Sequence, residues 1–185
     1  MTRRPPPVFL DRDGVINQNR DDYVRSLSQW VPIAGSLQAI ARLSRAGHPV
    51  VVVSNQSAIA RGLTTSDEVD RIHERMVAEV AELGGRIAGV YCCPHHPDEG
   101  CACRKPRTGL IERAASELSI DLRGGFMVGD AASDMAMARA AGLRAVLVQT
   151  GRGRLQLLLI RSSGGLEPDH VALDLSRAAE WILGC

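Results

Sequence analysis

Aromatic side chains are scarce, with two Phe, two Tyr and two Trp among 185 residues. The core must therefore be built from Val, Leu, Ile and Ala, and the stacking platforms of single-strand nucleic-acid binders are excluded. An excess of one charge is also missing: 22 basic and 21 acidic residues leave a formal charge of +1. No whole-molecule field draws this chain to a polyanion, so a small anionic ligand must be held by local geometry. No apolar run approaches the roughly 18 residues of a membrane span. The opening Met1-Thr2-Arg3-Arg4-Pro5-Pro6-Pro7 is followed only by Val8-Phe9-Leu10 before charges begin, which lacks the apolar stretch and cleavage site of a secretory leader. The expectation is a cytoplasmic monomer whose partner is a small molecule, with neither nucleic acid nor membrane bound.

The length supports one domain over residues 1–185, with roughly 70% of the unfolded surface buried on folding. Apolar residues at 45% and charged ones at 23% are an ordinary globular mixture. Short, non-alternating apolar runs predict strands at 8–10, 49–53, 89–92, 126–128 and 145–148, as expected for a parallel sheet covered on both faces. Helical patterns lie between them. Ser36 caps one carrying Leu37, Ile40 and Leu43; Thr65-Ser66-Asp67-Glu68 reads as a capping box before Val69, Ile72, Met76, Val80 and Leu83. Further helices follow Thr108 and Ala131, with weaker candidates at 155–161 and 174–183. This alternation predicts a doubly wound α/β fold with a mainly parallel sheet and helices on both faces. In such sheets ligands sit at the carboxyl ends of the strands.

Those ends carry the chemistry. The first strand runs straight into Asp11-Arg12-Asp13-Gly14. Residues i and i+2 of an extended segment face one side, so both carboxylates point into one site, and Gly14 permits a sharp departure. Their repulsion must be offset by a cation or a held proton. The second strand delivers Ser54-Asn55-Gln56-Ser57, hydroxyls and amides suited to phosphate oxygens. The fourth delivers Gly129-Asp130 with Asp134 one helical turn on, and Arg104-Lys105-Pro106 brings two cations between them. Each element has a dull reading as a turn, a cap or a solvated patch. All four in this order share none.

Five cysteines are present, and four of them (Cys92, Cys93, Cys101, Cys103) fall within one short segment. A disulfide framework spreads its cysteines; clustering with histidine reads as metal. In Cys93-x-His95-x₅-Cys101-x-Cys103, each i, i+2 pair can aim two donors at one ion. Three Cys and one His make a closed Zn²⁺ site, with His96 an alternative to His95 and a metal-free loop the bland reading. Cys92, still in its strand, reads as a buried small hydrophobe. A zinc loop at about 92–105 would order Arg104 and Lys105, which directly follow the last ligand.

Asp11-x-Asp13-Gly14, Ser54, Lys105 and Gly129-Asp130-x-x-x-Asp134 together resemble the four-motif signature of the haloacid dehalogenase superfamily, over about Val8 to Asp134. Longer strings are similar to the family of D-glycero-D-manno-heptose 1,7-bisphosphate 7-phosphatases: Asp11 to Asn17, Ser54 to Gly62, and Cys93-Pro94-His95-His96-Pro97 leading to Pro106. The resemblance implies a phosphatase acting through an aspartyl-phosphate, in lipopolysaccharide-core heptose synthesis. Asp11 would be the nucleophile and Asp13 the general acid and base. Mg²⁺ would be held by the Asp11 and Asp130 carboxylates and the Asp13 carbonyl. Lys105 would neutralise the transferring group, with Ser54, Asn55, Gln56, Ser57 and Arg104 as substrate contacts and Asp134 orienting Lys105 or a metal-bound water. To donate at neutral pH, Asp13 needs a pKa raised by about three units, which the phosphate and Asp11 would supply. The segments 17–35 and 63–85 leave no room for a large cap domain, so Asn19 to Tyr23 and Arg61 are the candidates for distal contacts. Ala131 departs from the family pattern, where a Lys often stands. Histidinol-phosphate phosphatases share much of this pattern and form the competing enzyme reading. A non-catalytic zinc module is the other, and it leaves the filled Asp11/Asp13 pair unused.

Overall fold

Val8-Phe9-Leu10 and Val50-Val51-Val52-Val53 are enclosed at every position, which only a strand covered on both faces requires. They belong to β1 (Val8–Leu10) and β2 (Val50–Asn55) of a parallel sheet completed by β3 (Gly89–Cys93), β4 (Phe126–Gly129), β5 (Arg144–Val148) and β6 (His170–Ala172). The computed structural model describes residues 5–185; Met1 to Arg4, part of the stretch on which the absence of a leader was read, lie outside them. The strand order is β3-β2-β1-β4-β5-β6, and all the pairings are parallel. Helices α1 (Ser36–Arg45), α2 (Ser66–Glu82), α3 (Gly109–Leu118), α4 (Ala132–Ala140), α5 (Gly153–Ser162) and α6 (Leu175–Leu183) connect or follow the strands.

Alternate strand residues feed two cores. Val8, Leu10, Val50, Val52, Phe126 and Val128 pack with Ile40, Leu43, Ile72, Met76 and Ile182 of α1, α2 and α6. Phe9, Val51, Val53 and Met127 pack on the other face with Leu110, Ile111, Met135 and Ile160 of α3, α4 and α5. The doubly wound fold is as expected. Between β1 and α1 the chain forms only the short 3-10 turn Leu27–Gln29, so no cap domain is inserted there.

Several local expectations are corrected. Strand β6 was not anticipated, because His170-Val171-Ala172 is a short, half-buried edge. Strand β2 runs on through Ser54 and Asn55, which therefore lie in the sheet. Ser36 is not a cap: Gly35, at φ 82°, occupies that position, and the Ser36 hydroxyl donates to the Ile16 carbonyl at 2.6 Å. Thr65 caps α2 by accepting from the Glu68 N–H, but the Glu68 carboxylate takes the Leu27 N–H instead of closing a box. The helix expected after Thr108 is α3, and the Thr108 hydroxyl donates to Glu112.

Strand β1 is flanked by β2 and β4, and the connections leave these neighbours in opposite directions. Their carboxyl ends diverge into a crevice, the switch point of an open sheet. Asp11, Ser54 and Asp130 stand at its rim.

Candidate active site

Asp11 follows β1, its N–H bonded to the Val128 carbonyl of β4 at 2.9 Å. Oxygens of Asp11, Asp130 and Asp134 all lie within 4.8 Å of one another, and all three residues are buried. Such a trio is unstable without cations. Lys105 supplies one: its Nζ lies 2.8 Å from Asp11 Oδ1, 2.8 Å from Asp134 Oδ1 and 3.2 Å from the Val53 carbonyl. Burial pushes the Asp11 carboxyl up to about 6, against the pull of Lys105. Burial also opposes the Lys105 charge, but Asp11 and Asp134 outweigh it and raise its pKa. The backbone is built for this closeness. A Cβ on Gly14 (φ 88°) or on Gly151 (φ 55°) would overlap Asp130 Oδ2, so only glycine allows these two loops to cradle that carboxylate.

Asp130 was expected among the metal ligands, and its oxygens are also held by Arg152, through the backbone N–H at 2.8 Å and Nη2 at 3.5 Å. Burial first, and Asp11 second, raise its pKa. Asp134 stands beside Lys105, as expected, and is also one of the three converging carboxylates. An oxygen-only donor set with surplus negative charge suits Mg²⁺.

The Asp13 carboxylate lines the same cavity as Asp11 but does not join this trio. Arg12 grips it with Nε at 3.2 Å and Nη2 at 2.9 Å, while Asn17 donates at 2.8 Å and Gln56 at 2.9 Å. Burial alone would raise the Asp13 pKa, but the Arg12 guanidinium and these donors hold it below the usual carboxylate value. The raised pKa expected of Asp13 is thus not a property of the ligand-free site. Gln56 is corrected as well. Its amide donates to Asp13 and to Ser54 Oγ, and its backbone N–H goes to Cys93, so it holds the site together instead of lining it.

A cavity of about 420 Å³ opens above the carboxylates. Its walls include Asp11, Asp13, Ser54, Asn55, Ser57, Arg104 and Lys105, together with Asn19, Arg20, Asp21 and Tyr23. Arg61 is exposed and is not among the lining residues. Asn55 grips the Lys105 backbone in both directions, Oδ1 accepting its N–H at 3.1 Å and Nδ2 donating to its carbonyl at 3.4 Å. Arg104 Nη1 is buried without a hydrogen-bond partner, an arrangement that asks for an anion. Reading the sequence missed Arg12, His73, Asn17 and Arg152. Arg152 alone carried a signal, as the charged residue of Gly151-Arg152-Gly153 just past β5.

The cysteine cluster forms beside this wall. Cys93 Sγ lies 3.5 Å from both His95 Nδ1 and Cys101 Sγ, and Cys103 Sγ lies 3.2 Å from His95 Nδ1 and 3.4 Å from Cys101 Sγ. A tetrahedral Zn²⁺ with bonds near 2.3 Å has sulfur–sulfur edges of about 3.8 Å, so a slight expansion admits the ion. His95, not His96, joins the group; His96 caps the turn Pro97–Glu99. Cys92 is half-buried on β3 and stands apart from the four.

A parallel six-stranded sheet whose β1 ends in Asp11-x-Asp13, facing a buried lysine and the acidic pair after β4, defines a haloacid-dehalogenase-like hydrolase. Residues 102–178 match the family model described as HAD-hydrolase-like. The chain is 45% identical over 177 residues to a D-glycero-β-D-manno-heptose-1,7-bisphosphate 7-phosphatase of Bordetella bronchiseptica, covering 95% of this chain and 97% of that protein. It is 47% identical over 178 residues to the enzyme of the same name from Pseudomonas aeruginosa, with the same coverage. A crystal structure of the D,D-heptose 1,7-bisphosphate phosphatase of B. bronchiseptica, complexed with magnesium and phosphate, superposes with a TM-score of 0.89 at 44% identity, over 97% of this chain and 98% of that one. The chain belongs to the heptose bisphosphate phosphatase family of HAD-like hydrolases.

Proposed function

We propose that this chain removes the 7-phosphate of D-glycero-β-D-manno-heptose 1,7-bisphosphate, in the supply of heptose for lipopolysaccharide core. The observation that carries this reading is the convergence of Asp11, Lys105 and Asp130 under a cavity rimmed by Arg104, within a chain that matches heptose bisphosphate phosphatases over nearly its whole length. Asp11 attacks phosphorus in line, the bond to the sugar oxygen breaks, and an aspartyl-phosphate forms. Asp13 protonates the departing oxygen and then takes a proton from the water that hydrolyses the intermediate. Because Arg12 keeps Asp13 ionised in the free site, the proton arrives with the substrate, whose monoester has a second pKa of about 6. Lys105 offsets charge on the transferring group. Ser54, Asn55 and Ser57 contact its oxygens, and Arg104 takes the rest of the substrate.

Asp11, Asp130 and the Asp13 carbonyl would hold Mg²⁺, with Asp134 beside them. When bound, it supplies Lewis-acid charge to the phosphoryl oxygens. Cys93, His95, Cys101 and Cys103 would hold one structural Zn²⁺ that fixes the loop carrying Arg104. Among the described residues no helix is long and apolar enough to cross a membrane; we place the enzyme in the cytoplasm, as a one-domain monomer. A phosphate-release panel with Mg²⁺ tests the substrate, using heptose 1,7-bisphosphate, fructose 1,6-bisphosphate and histidinol phosphate. A kcat/KM for the heptose at least about 100-fold above the others is expected. Comparable values, or a preference for histidinol phosphate, overturn the assignment.

A further inference from the structure

Arg12 is the largest fully enclosed side chain among the described residues, and a guanidinium is costly to bury unless its donors are paired. Nε and Nη2 form the fork on Asp13, Nη2 also donates to Gln56 Oε1 at 3.0 Å, and Nη1 lies 3.2 Å from His73 Nε2. Arginine has only donors, so this last contact requires a lone pair on Nε2. His73 is therefore the neutral ring with its proton on Nδ1. Burial, followed by Arg12 itself, pushes its pKa down to about 4, in keeping with that state.

His73 sits on α2, enclosed against Arg12, and does not line the cavity. Nothing in the proposed chemistry uses it. Yet it accepts the one edge of the guanidinium that Asp13 and Gln56 leave free. With Nη1 anchored, the planar fork has one orientation, and that orientation fixes both oxygens of Asp13. Asn17 on Oδ1 and Gln56 on Oδ2 complete four hydrogen bonds to this carboxylate. Its direction is thus set by a network reaching 61 residues along the chain.

We infer that His73 is a positioning residue for the phosphatase reaction, acting through Arg12 to aim the Asp13 carboxylate at the leaving oxygen. The inference rests on the reading of Asp13 as the group that protonates that oxygen. It predicts that formation of the aspartyl-phosphate, the step kcat/KM reports, is slowed for leaving groups that need a proton, while hydrolysis of the intermediate is common to all esters. A sugar alkoxide needs a proton; the nitrophenolate of 4-nitrophenyl phosphate leaves without it.

The test compares wild type, Asp13→Asn, His73→Leu and His73→Gln as full-length, magnesium-loaded enzymes, on heptose 1,7-bisphosphate and on 4-nitrophenyl phosphate. Circular dichroism and thermal melting check folding of each. His73→Leu removes the acceptor and should lower kcat/KM on the bisphosphate by about 10-fold, part of the roughly 10²–10⁴ that a positioned acid contributes, with a far smaller kcat/KM loss on the aryl ester. His73→Gln can present an amide oxygen to Arg12 and should restore most of the loss. Equal losses of kcat/KM on both esters mark a merely structural histidine and overturn the inference, as does an unchanged His73→Leu. If Asp13→Asn itself shows no preference for the activated ester, the reading of Asp13 fails first. If Asp13→Asn shows it and His73→Leu does not, only the role of His73 falls.

Discussion

Replacing Lys105 with Met keeps the aliphatic stem and removes the charge. The side chain is 3% exposed, and its ammonium lies 2.8 Å from each of two carboxylates. Removing one partner of a buried pair costs about 3–5 kcal/mol, because the remaining charge is stranded. The loss depends on pH. In wild type the Asp11 pKa is about 6 when folded, above its ordinary 3.8, so the folded state binds that proton more tightly and gains stability as pH falls from about 6 to 4. Lys105 pulls this pKa down, and without it protonation relieves the stranded carboxylate at still higher pH. Urea unfolding in magnesium-free buffer should therefore show Lys105→Met about 3–5 kcal/mol less stable than wild type at pH 8, with a smaller deficit at pH 5. In magnesium-replete assays kcat should fall by about 10²–10³, the loss typical of removing one charge-stabilising donor. A variant as stable as wild type at pH 8, or a deficit that does not change with pH, would refute the reasoning.

Three further outcomes follow from the same geometry. Arg104→Ala removes the buried Nη1 that has no partner in the protein, and should raise KM for the bisphosphate about 10- to 100-fold with little change in thermal stability. His73 has a folded pKa of about 4 against an ordinary 6.5. Its contribution is complete above pH 6.5 and is lost as pH falls to 4, so the stability of wild type relative to His73→Gln should drop by about 3 kcal/mol across that window in paired urea titrations. Elemental analysis should find one zinc per chain, and stripping it from magnesium-replete enzyme should raise KM more than about 10-fold while lowering kcat less, because Asn55 and two carboxylates anchor Lys105 independently; unchanged kinetics would remove the loop-ordering role.

The sheet was readable because a strand buried on both faces must be apolar without interruption, as Val50 to Val53 are. The same rule hid β6, where His170 sits at a half-buried edge and stacks on Trp181 at 4.4 Å. Asp11 and Asp130 were legible because α/β sheets present ligands at strand ends, whereas the convergence of Asp134 with them as a third carboxylate comes only from the structure. The three cysteines of the zinc-type cluster were legible from their clustering and i, i+2 spacing, whereas the choice of His95 over His96 comes from the structure. Arg12 was not legible, since it reads as the variable residue between two aspartates, and its meaning comes from His73 and Gln56 on distant segments. Gln56 was misassigned for a related reason: an amide at a strand end looks like a ligand contact until the carboxylate it holds is in place. The direction of the Asp13 shift was likewise invisible without the guanidinium lying against it.

The central claim is that Asp11 becomes esterified during turnover. Acid-quenching the magnesium-loaded enzyme with heptose 1,7-bisphosphate, reducing with borohydride and sequencing the tryptic peptides by mass spectrometry tests it directly, because reduction converts an aspartyl-phosphate to homoserine. Homoserine at position 11, dependent on substrate and lost in Asp11→Asn, is the predicted result. Homoserine at another aspartate, or an Asp11→Asn variant that still turns over the bisphosphate, would contradict it.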